Sequence, residues 1–388
     1  MRIKSGHVCV FALAVATCLW ARPPKPRPTP APPFEVPGPT KGVEAVAFSA
    51  DGRTILAVGF DRPVYLTLTL WDIATGKSRR TLTGPAETQL YANTFSPDAR
   101  TLATGTGPGP NEGAYTYWVT LWDVATGKTL HKMAGHEDAI LSAAFTPDGR
   151  TLVTGSQDET LHVWNVSTGQ QLYARTVEGC AFDDVAINPD GHTFADVCNA
   201  GQSYSGAPEG TLITELRDAT NGNVLRTLPP RPSTFGAMAY TPDGRALILP
   251  TSDTTLTMWD LSTGAVIRTL SSAPATAAAS APAASASTNS TSTDSTFIGD
   301  IVFSTDGKTL AAGIEPNTID LWDVASGQLL RTLSGHTDSV TGVAFSADGK
   351  TLVSGSDDNT IKLWDVATGK LLKSLGTVNP PSADGPQP

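Results

Sequence analysis

Short apolar runs that alternate with polar residues recur along the whole chain. Examples are TLVSGS at 351–356, TIKLW at 360–364 and KLLKSL at 370–375. Asp-Gly and Thr-Gly pairs bound these runs. Alternation with period two over such lengths is typical of half-buried β-strands, and the intervening pairs are typical of tight turns. The pattern therefore predicts units of four antiparallel strands.

Two short strings accompany these runs, and each occurs seven times. The first string is FSADGR at 48–53, FSPDAR at 95–100, FTPDGR at 145–150, INPDGH at 187–192, YTPDGR at 240–245, FSTDGK at 303–308 and FSADGK at 345–350. The second resembles WDVATGK and starts at Trp71, Trp122, Trp164, Arg217, Trp259, Trp322 and Trp364. Internal repeats at such spacing indicate a repeat architecture rather than several unrelated domains.

One four-stranded sheet of this size leaves an apolar face in water, so the units must stack on one another. The paired strings resemble those of the WD-repeat (tryptophan-aspartate) family, over about residues 40–376. That resemblance implies an all-β fold, a seven-bladed β-propeller with four antiparallel strands per blade. How the ring is closed stays open, because the seventh unit already has its own fourth strand at 370–375.

The resemblance also implies a buried network of His, Ser or Thr, Asp and Trp within a blade. By spacing, the third unit supplies His136, Thr154, Asp158 and Trp164, and the seventh supplies His336, Ser354, Asp358 and Trp364. Ser156 and Ser356 are alternatives for the hydroxyl. A hydrolase triad is the competing interpretation, but the set occurs twice and ends on an indole donor. We therefore expect it to stabilise the fold.

The first residues predict export. Arg2 and Lys4 precede an apolar run from Val8 to Ala16, which is typical of a signal peptide, here residues 1–21. Two cleavage hypotheses stay open: release after a small-residue site, or a bacterial lipoprotein box that leaves a lipid anchor on Cys18. We expect a bacterial-type exported member of the family, periplasmic or extracellular, with no transmembrane span in the mature chain.

Three segments are too polar or too rich in Pro to form a core. They are a Pro-rich linker at 22–39, a low-complexity stretch of Ala, Ser, Thr and Pro at 271–296, and a tail at 377–388. Such compositions cannot bury enough apolar surface to offset the entropy of ordering. The linker is expected to be stiff and extended, and the other two to be disordered.

Charge and cysteine content limit the partners and the cellular compartment that the chain can be expected to have. The chain has 27 Lys and Arg against 37 Asp and Glu, and no stretch offers the basic face that nucleic acid requires. We therefore expect no nucleic-acid partner. Cys180 and Cys198 flank one predicted hairpin, and in an exported chain they are candidates for a disulfide.

Catalytic motifs are missing from the sequence, which holds no GxSxG, HExxH or GxxxxGK. Quinone-dependent dehydrogenases are also exported propellers, but their motif has Trp after Gly, whereas here Trp precedes Asp. We predict no enzymatic activity, no cofactor and no metal site.

Function is then expected where the repeats differ. The long insertions, at 105–117, 199–210 and 271–296, all emerge on one face, called the top. Candidate binding residues in them are Glu112, Tyr115, Tyr117, Tyr204 and Glu209. The alternative is that Trp118 begins a strand and the tyrosines pack against neighbouring loops.

The sequence therefore predicts a monomeric scaffold that binds a protein or peptide on the top face. The alternative is a small-molecule or glycan site in the top-face funnel.

Overall fold

Seven antiparallel sheets, the blades, each with four main strands, make up the part of the chain that the structure describes. The computed structural model describes residues 42–61, 65–83, 92–106, 117–200, 211–232, 237–252, 255–272, 298–314 and 316–375. Within each blade the strands pair in chain order, so the first strand is innermost and the fourth is outermost. The first 41 residues, with Cys18, lie outside the described residues.

The strand bounds repeat closely from blade to blade. Blade 1 comprises β1 (Val43–Phe48), β2 (Thr54–Asp61), β3 (Tyr65–Asp72) and β4 (Ser78–Thr83). Blade 2 comprises β5 (Ala92–Phe95), β6 (Thr101–Thr106), β7 (Trp118–Asp123) and β8 (Thr129–Ala134). Blade 3 comprises β9 (Ile140–Phe145), β10 (Thr151–Ser156), β11 (Thr160–Asn165) and β12 (Gln171–Thr176).

Within the described ranges, blade 4 alone has an additional short strand. It comprises β13 (Cys180–Ile187), β14 (Thr193–Ala200), β15 (Thr211–Asp218) and β16 (Val224–Thr227), with β17 (Arg231–Pro232) also paired to β15. Blade 5 comprises β18 (Ala239–Tyr240), β19 (Ala246–Ser252), β20 (Thr255–Asp260) and β21 (Val266–Ser271). Strand β21 thus includes Ser271, the first residue of the stretch predicted to be disordered, and residues 273–297 lie outside the described ranges.

The last two blades complete the ring. Blade 6 comprises β22 (Ile298–Phe303), β23 (Thr309–Ile314), β24 (Thr318–Asp323) and β25 (Leu329–Ser334). Blade 7 comprises β26 (Val340–Phe345), β27 (Thr351–Ser356), β28 (Ile361–Asp365) and β29 (Leu371–Leu375).

The two repeated strings form two kinds of tight turn on the same face, here called the bottom. In blade 7, Ser346 Oγ donates to Asp348 Oδ1 at 2.7 Å and Gly349 takes a φ of +67°. After Trp364, Asp365 Oδ1 accepts a 2.7 Å bond from Thr368 N, and Gly369 takes a φ of +71°. Asp side chains that accept backbone N–H groups hold such turns without help from other segments.

Each boundary between neighbouring blades holds its own hydrophobic cluster. At the boundary of blades 1 and 2, for example, Leu56 and Val58 pack against Leu102 and Trp122. Seven such clusters occupy the seven boundaries. Because each sheet is buried on both faces by its neighbours, the blades are stable only as a ring. The prediction of an all-β, seven-bladed propeller is confirmed.

The ring closes without an exchanged strand, since β1 to β4 all belong to blade 1 and β26 to β29 to blade 7. Val43 and Trp71 pack against Val353 and Leu363 across this seam. Asn359 adds a hydrogen bond, since its Oδ1 accepts from Gly42 N at 2.6 Å. The two edges therefore abut through side-chain packing.

A long side chain on each outermost strand reaches the bottom turn of the next blade. Arg80 Nη1 donates to Ala125 O at 2.5 Å, and Arg226 Nη2 donates to Ser262 O at 2.7 Å. The equivalent residues of the other blades are His131, Tyr173, Arg268, Arg331 and Lys373. Lys373 makes this contact across the seam, where its Nζ lies 2.6 Å from Ile73 O.

Candidate functional site

The structure brings together the four polar residues that the sequence singled out in blade 3. His136 Nδ1 lies 3.0 Å from Asp158 Oδ2, and His136 Nε2 lies 2.8 Å from Thr154 Oγ1. Trp164 Nε1 donates to the same hydroxyl at 2.9 Å. Ser156 lies elsewhere, since its Oγ donates to Asp138 O at 3.1 Å.

The chemistry of these groups fixes the direction of the hydrogen bonds. A carboxylate only accepts, so Nδ1 of His136 carries the proton that is donated to Asp158. Nε2 is then free to accept from the Thr154 hydroxyl, which in turn accepts from the indole. Every polar atom of the chain from Trp164 to Asp158 is thereby satisfied.

Blade 7 repeats this network with Ser in place of Thr. His336 Nδ1 lies 2.9 Å from Asp358 Oδ2, His336 Nε2 lies 2.7 Å from Ser354 Oγ, and Trp364 Nε1 donates to that oxygen at 2.8 Å. Burial acts to raise the pKa of Asp358, but hydrogen bonds from His336, Thr360 and the backbone outweigh it and leave that pKa well below its usual value. The carboxylate is thus ionised, and the arrangement holds no free nucleophile for hydrolysis.

Blade 4 replaces the network by an ion pair. Arg217 stands at the Trp position and Asp196 at the position of the Thr154 hydroxyl, and their Nε and Oδ1 atoms lie 2.6 Å apart. Arg217 also pairs with Glu215 and donates to Gly222 O at 3.1 Å. Blade 4 therefore lacks both the indole and the hydroxyl of blades 3 and 7, and a charge pair occupies their two positions.

The same blade contains a covalent link. Cys180 on β13 and Cys198 on β14 form a disulfide with a Cα–Cα distance of 5.3 Å. Both residues lie in the cluster between blades 3 and 4, next to Phe182 and Val185.

The candidate binding residues of the top-face loops fall mostly outside the described residues. This holds for Glu112, Tyr115, Tyr204 and Glu209. Tyr117 is described, and it is half-buried against the cluster between blades 2 and 3. Trp118 begins β7, and Lys132 Nζ lies 4.7 Å from the centroid of its ring.

A polar region that the sequence did not single out lies on the innermost strands. Asp184 of blade 4 joins three of these blades, because its carboxylate accepts from Ser142 Oγ of blade 3 and Met238 N of blade 5, each at 2.9 Å. Asp300 of blade 6 accepts from Val343 N of blade 7 at 3.1 Å. Both aspartates keep part of their surface accessible, although they lie among the innermost strands. They therefore line the central channel.

Asp183 and Arg231 lie beside Asp184 and are buried. Their exposed fractions are 5% and 6%. Arg231 Nη1 donates to Pro250 O at 2.6 Å, whereas Oδ1 of Asp183 has no hydrogen-bond partner among the described residues. Burial and, to a smaller extent, the charge of Asp184 together raise the pKa of Asp183 to about 7, against the opposing charge of Arg231.

Burial also raises the pKa of Asp184 and of Asp300 to about 6 each. In the sequence, only the position of Asp184 and Asp300 relative to the repeats could have indicated this polar region. They are the third residue before the first repeated string, where the other blades have Ala45, Ala92, Ser142, Ala237 and Gly342. Two acids among five small residues break the pattern of the repeat.

The described residues give no support for other kinds of site. No group of three His, Cys, Asp or Glu side chains among them is arranged to hold a metal ion. No helix in the same ranges has the length and hydropathy needed to cross a bilayer.

Comparison with known proteins agrees with this architecture. The family model "WD domain, G-beta repeat" matches residues 127–165 and 327–365. These are the two stretches that contain the complete His-to-Trp networks. These two stretches of the chain are therefore similar to the WD repeat.

Several curated proteins are similar to the chain. An uncharacterised WD repeat-containing protein of Schizosaccharomyces pombe is 34% identical over 124 residues, which cover 32% of this chain and 28% of that protein. Nuclear distribution protein nudF of Emericella nidulans is 25% identical over 272 residues, covering 66% of this chain and 52% of nudF. Mitochondrial division protein 1 of Saccharomyces cerevisiae is 28% identical over 232 residues, covering 59% and 27%.

The chain thus spans about half or less of the length of these relatives. All three come from eukaryotes, so the expected bacterial type of export stays a prediction.

Proposed function

We propose that the chain is a non-catalytic scaffold that binds a protein or peptide partner through its top face. The observation that carries this proposal is the difference between the two faces of the ring. On the bottom, the turns are short and uniform, and their Asp side chains are occupied by bonds within the turn. Such a face offers few free groups to a partner.

The top face differs from blade to blade. In blade 3 the second and third strands are separated only by residues 157–159, whereas residues 107–117 separate them in blade 2 and 201–210 in blade 4. The inserted segments contain Tyr, Glu, Gly and Ser, a composition typical of adaptable contact surfaces. The central channel adds acidic groups. Variation confined to one face of a repeat fold supports a recognition role for that face.

Photo-crosslinking from matched positions tests this proposal. A photoreactive residue is introduced at Glu137 or Thr337, which are exposed between blades, and separately at Arg150 or Lys350, which are exposed in bottom turns. We expect one protein to be crosslinked from the first pair and not from the second. Crosslinks confined to the bottom positions would refute the placement of the site.

We also propose that the chain is exported, to the periplasm or the cell exterior, with or without a lipid on Cys18. The charged and apolar pattern of residues 1–21 supports this, and so does the disulfide between Cys180 and Cys198, since structural disulfides persist in oxidising compartments. Fractionation of cells that express the full chain or a variant without residues 2–21 tests it. Reduced thiols at both positions in the purified native protein would contradict the proposal.

A further inference from the structure

A second histidine lies beside the network of blade 3. His162 is on β11, two positions before Trp164, and 5% of its surface is exposed. Its ring centroid lies 4.1 Å from that of His136 and 5.3 Å from that of Trp164. The other six blades have different residues at this position, namely Thr69, Thr120, Glu215, Thr257, Asp320 and Lys362. Blade 3 is therefore the one blade whose sequence places histidines at the positions of both His136 and His162.

The surroundings of His162 suit a neutral ring. A Cβ atom at Gly135 would lie 2.8 Å from Nδ1 and 2.8 Å from Cε1 of His162, so the backbone lies directly against the ring. Nδ1 is buried and has no hydrogen-bond partner among the described residues. A protonated imidazole donates from both nitrogens, so the charged form would bury an unpaired N–H group. Burial of that kind costs free energy, because no water replaces the missing acceptor.

Two titratable groups act on His162. They are His136 and Asp158, and among the described residues no other charged group does so. Burial, followed by the charge of His136, lowers the pKa of His162 to about 4. Asp158 and the side-chain amide of Gln171 oppose this shift of the pKa. His162 is therefore uncharged at neutral pH and gains its proton only in acid.

The connection between β8 and β9, residues 135–139, is held to blade 3 by the same network. Its anchor is His136, whose Nδ1 lies 3.0 Å from Asp158 Oδ2. Gly135 and His136 also lie against the ring of His162. A charge on that buried ring is relieved most directly if the connection moves away and admits water.

We propose that His162 is a pH-sensitive switch: its protonation releases the 135–139 connection from blade 3, and its deprotonation restores the contact. In the released state the ring meets water and regains an ordinary pKa near 6.5, whereas in the closed state burial keeps the pKa at about 4. The released state thus binds more protons, so the closed state is fully favoured above pH 6.5 and loses stability as pH falls towards 4. The switch does not depend on the scaffold function.

Blade 7 supplies the matched control inside the same molecule. Its connection, residues 335–339, is anchored by His336 in an equivalent network, but Lys362 stands at the position of His162. A lysine is already protonated at neutral pH, so acid adds no charge there. Acid should therefore open the 135–139 connection and leave the 335–339 connection closed.

Hydrogen exchange of the full chain, followed by mass spectrometry at neutral pH and at about pH 4, measures both connections. After correction for the intrinsic effect of pH on amide exchange, protection of residues 135–139 should fall at least about tenfold, while that of 335–339 changes less than about twofold. Glu137→Thr removes the one other titratable difference between the two connections, because blade 7 has Thr337 there, and should keep the response. An equal change in both connections overturns the proposal.

His162→Thr introduces the residue that blades 1, 2 and 5 have and should abolish the acid response, so that the two connections behave alike. A response that persists in this variant overturns the proposal. An NMR titration of the Hε1 resonance of His162 in the parent chain reports protonation of the ring directly. Its midpoint should coincide with that of the loss of protection at 135–139. Protonation of His162 without loss of protection, or loss of protection while His162 stays neutral, also overturns the proposal.

Discussion

Replacing the same tryptophan by phenylalanine in two blades should have unequal effects. Trp364 of blade 7 donates its indole proton to Ser354 Oγ at 2.8 Å. Trp71 of blade 1 occupies the equivalent position, but its Nε1 is buried and has no hydrogen-bond partner among the described residues. The two side chains are similarly buried, with exposed fractions of 1% and 6%. The loss of apolar area is therefore closely matched.

The difference between the two variants isolates the hydrogen bond. In blade 7 the substitution removes a donor from a buried network, which costs about 1 to 3 kcal/mol. In blade 1 it removes a donor that was already unsatisfied, which relieves a penalty of similar kind. We therefore expect Trp364→Phe to lower the free energy of unfolding by about 2 kcal/mol more than Trp71→Phe does.

Chemical denaturation followed by circular dichroism measures both variants. A third protein, Trp364→Phe combined with Ser354→Ala, completes a double-mutant cycle that gives the coupling energy of the indole and the hydroxyl. Equal losses in blades 1 and 7, or a coupling energy near zero, would show that the network does not stabilise blade 7 and would refute the argument.

Three further outcomes are expected from stability measurements. Lys373→Met should lower the thermal midpoint and reduce the free energy of unfolding by about 2 kcal/mol, because the ammonium group of Lys373 bonds two carbonyl groups across the seam. Lys370→Met, an exposed control in the same blade, should have no effect. Equal thermal midpoints of the two variants would contradict this prediction. Reducing the disulfide of blade 4, whose cysteines are 18 positions apart, should cost about 3 kcal/mol, measured by denaturation with and without reductant. Arg217→Trp should lower the free energy of unfolding by about 3 to 5 kcal/mol, because it leaves Asp196 buried without a counter-ion. The double variant Arg217→Trp with Asp196→Thr should regain most of that stability. A double variant no more stable than Arg217→Trp would refute the pairing of Arg217 with Asp196.

The fold was predictable because its signals are local and repeated. Each Asp-Gly string builds its own turn, as Ser346 and Asp348 do. The apolar runs at 351–356, 360–364 and 370–375 become the strands Thr351–Ser356, Ile361–Asp365 and Leu371–Leu375. Seven copies of one weak signal amount to a strong one. The positions of His136 and His336 also followed from spacing, since each network residue lies at a fixed distance from a repeated string.

The acidic channel wall could not be derived in the same way. Asp184 and Asp300 are separated by more than a hundred positions in the sequence, and only ring closure brings the charge of one to bear on the other. Arg231 lies in β17, a strand of two residues that no periodicity indicates. Contacts between blades depend on the three-dimensional arrangement rather than on the repeat.

The seam between blades 7 and 1 gives the ring one boundary of a different kind. Each other boundary is crossed by the polypeptide itself, whereas this one depends on packing, the Asn359 bond to Gly42, the bond from Thr341 Oγ1 to Val43 O and the Lys373 contact. No peptide linkage joins blades 7 and 1, so these two blades can move apart without straining the backbone. Amide hydrogens of β1 and β26 should therefore exchange with solvent earlier than those of β9 and β13. The inner ends of the seam strands line the channel. A widening of the seam would therefore enlarge the channel while every blade keeps its own hydrogen bonds.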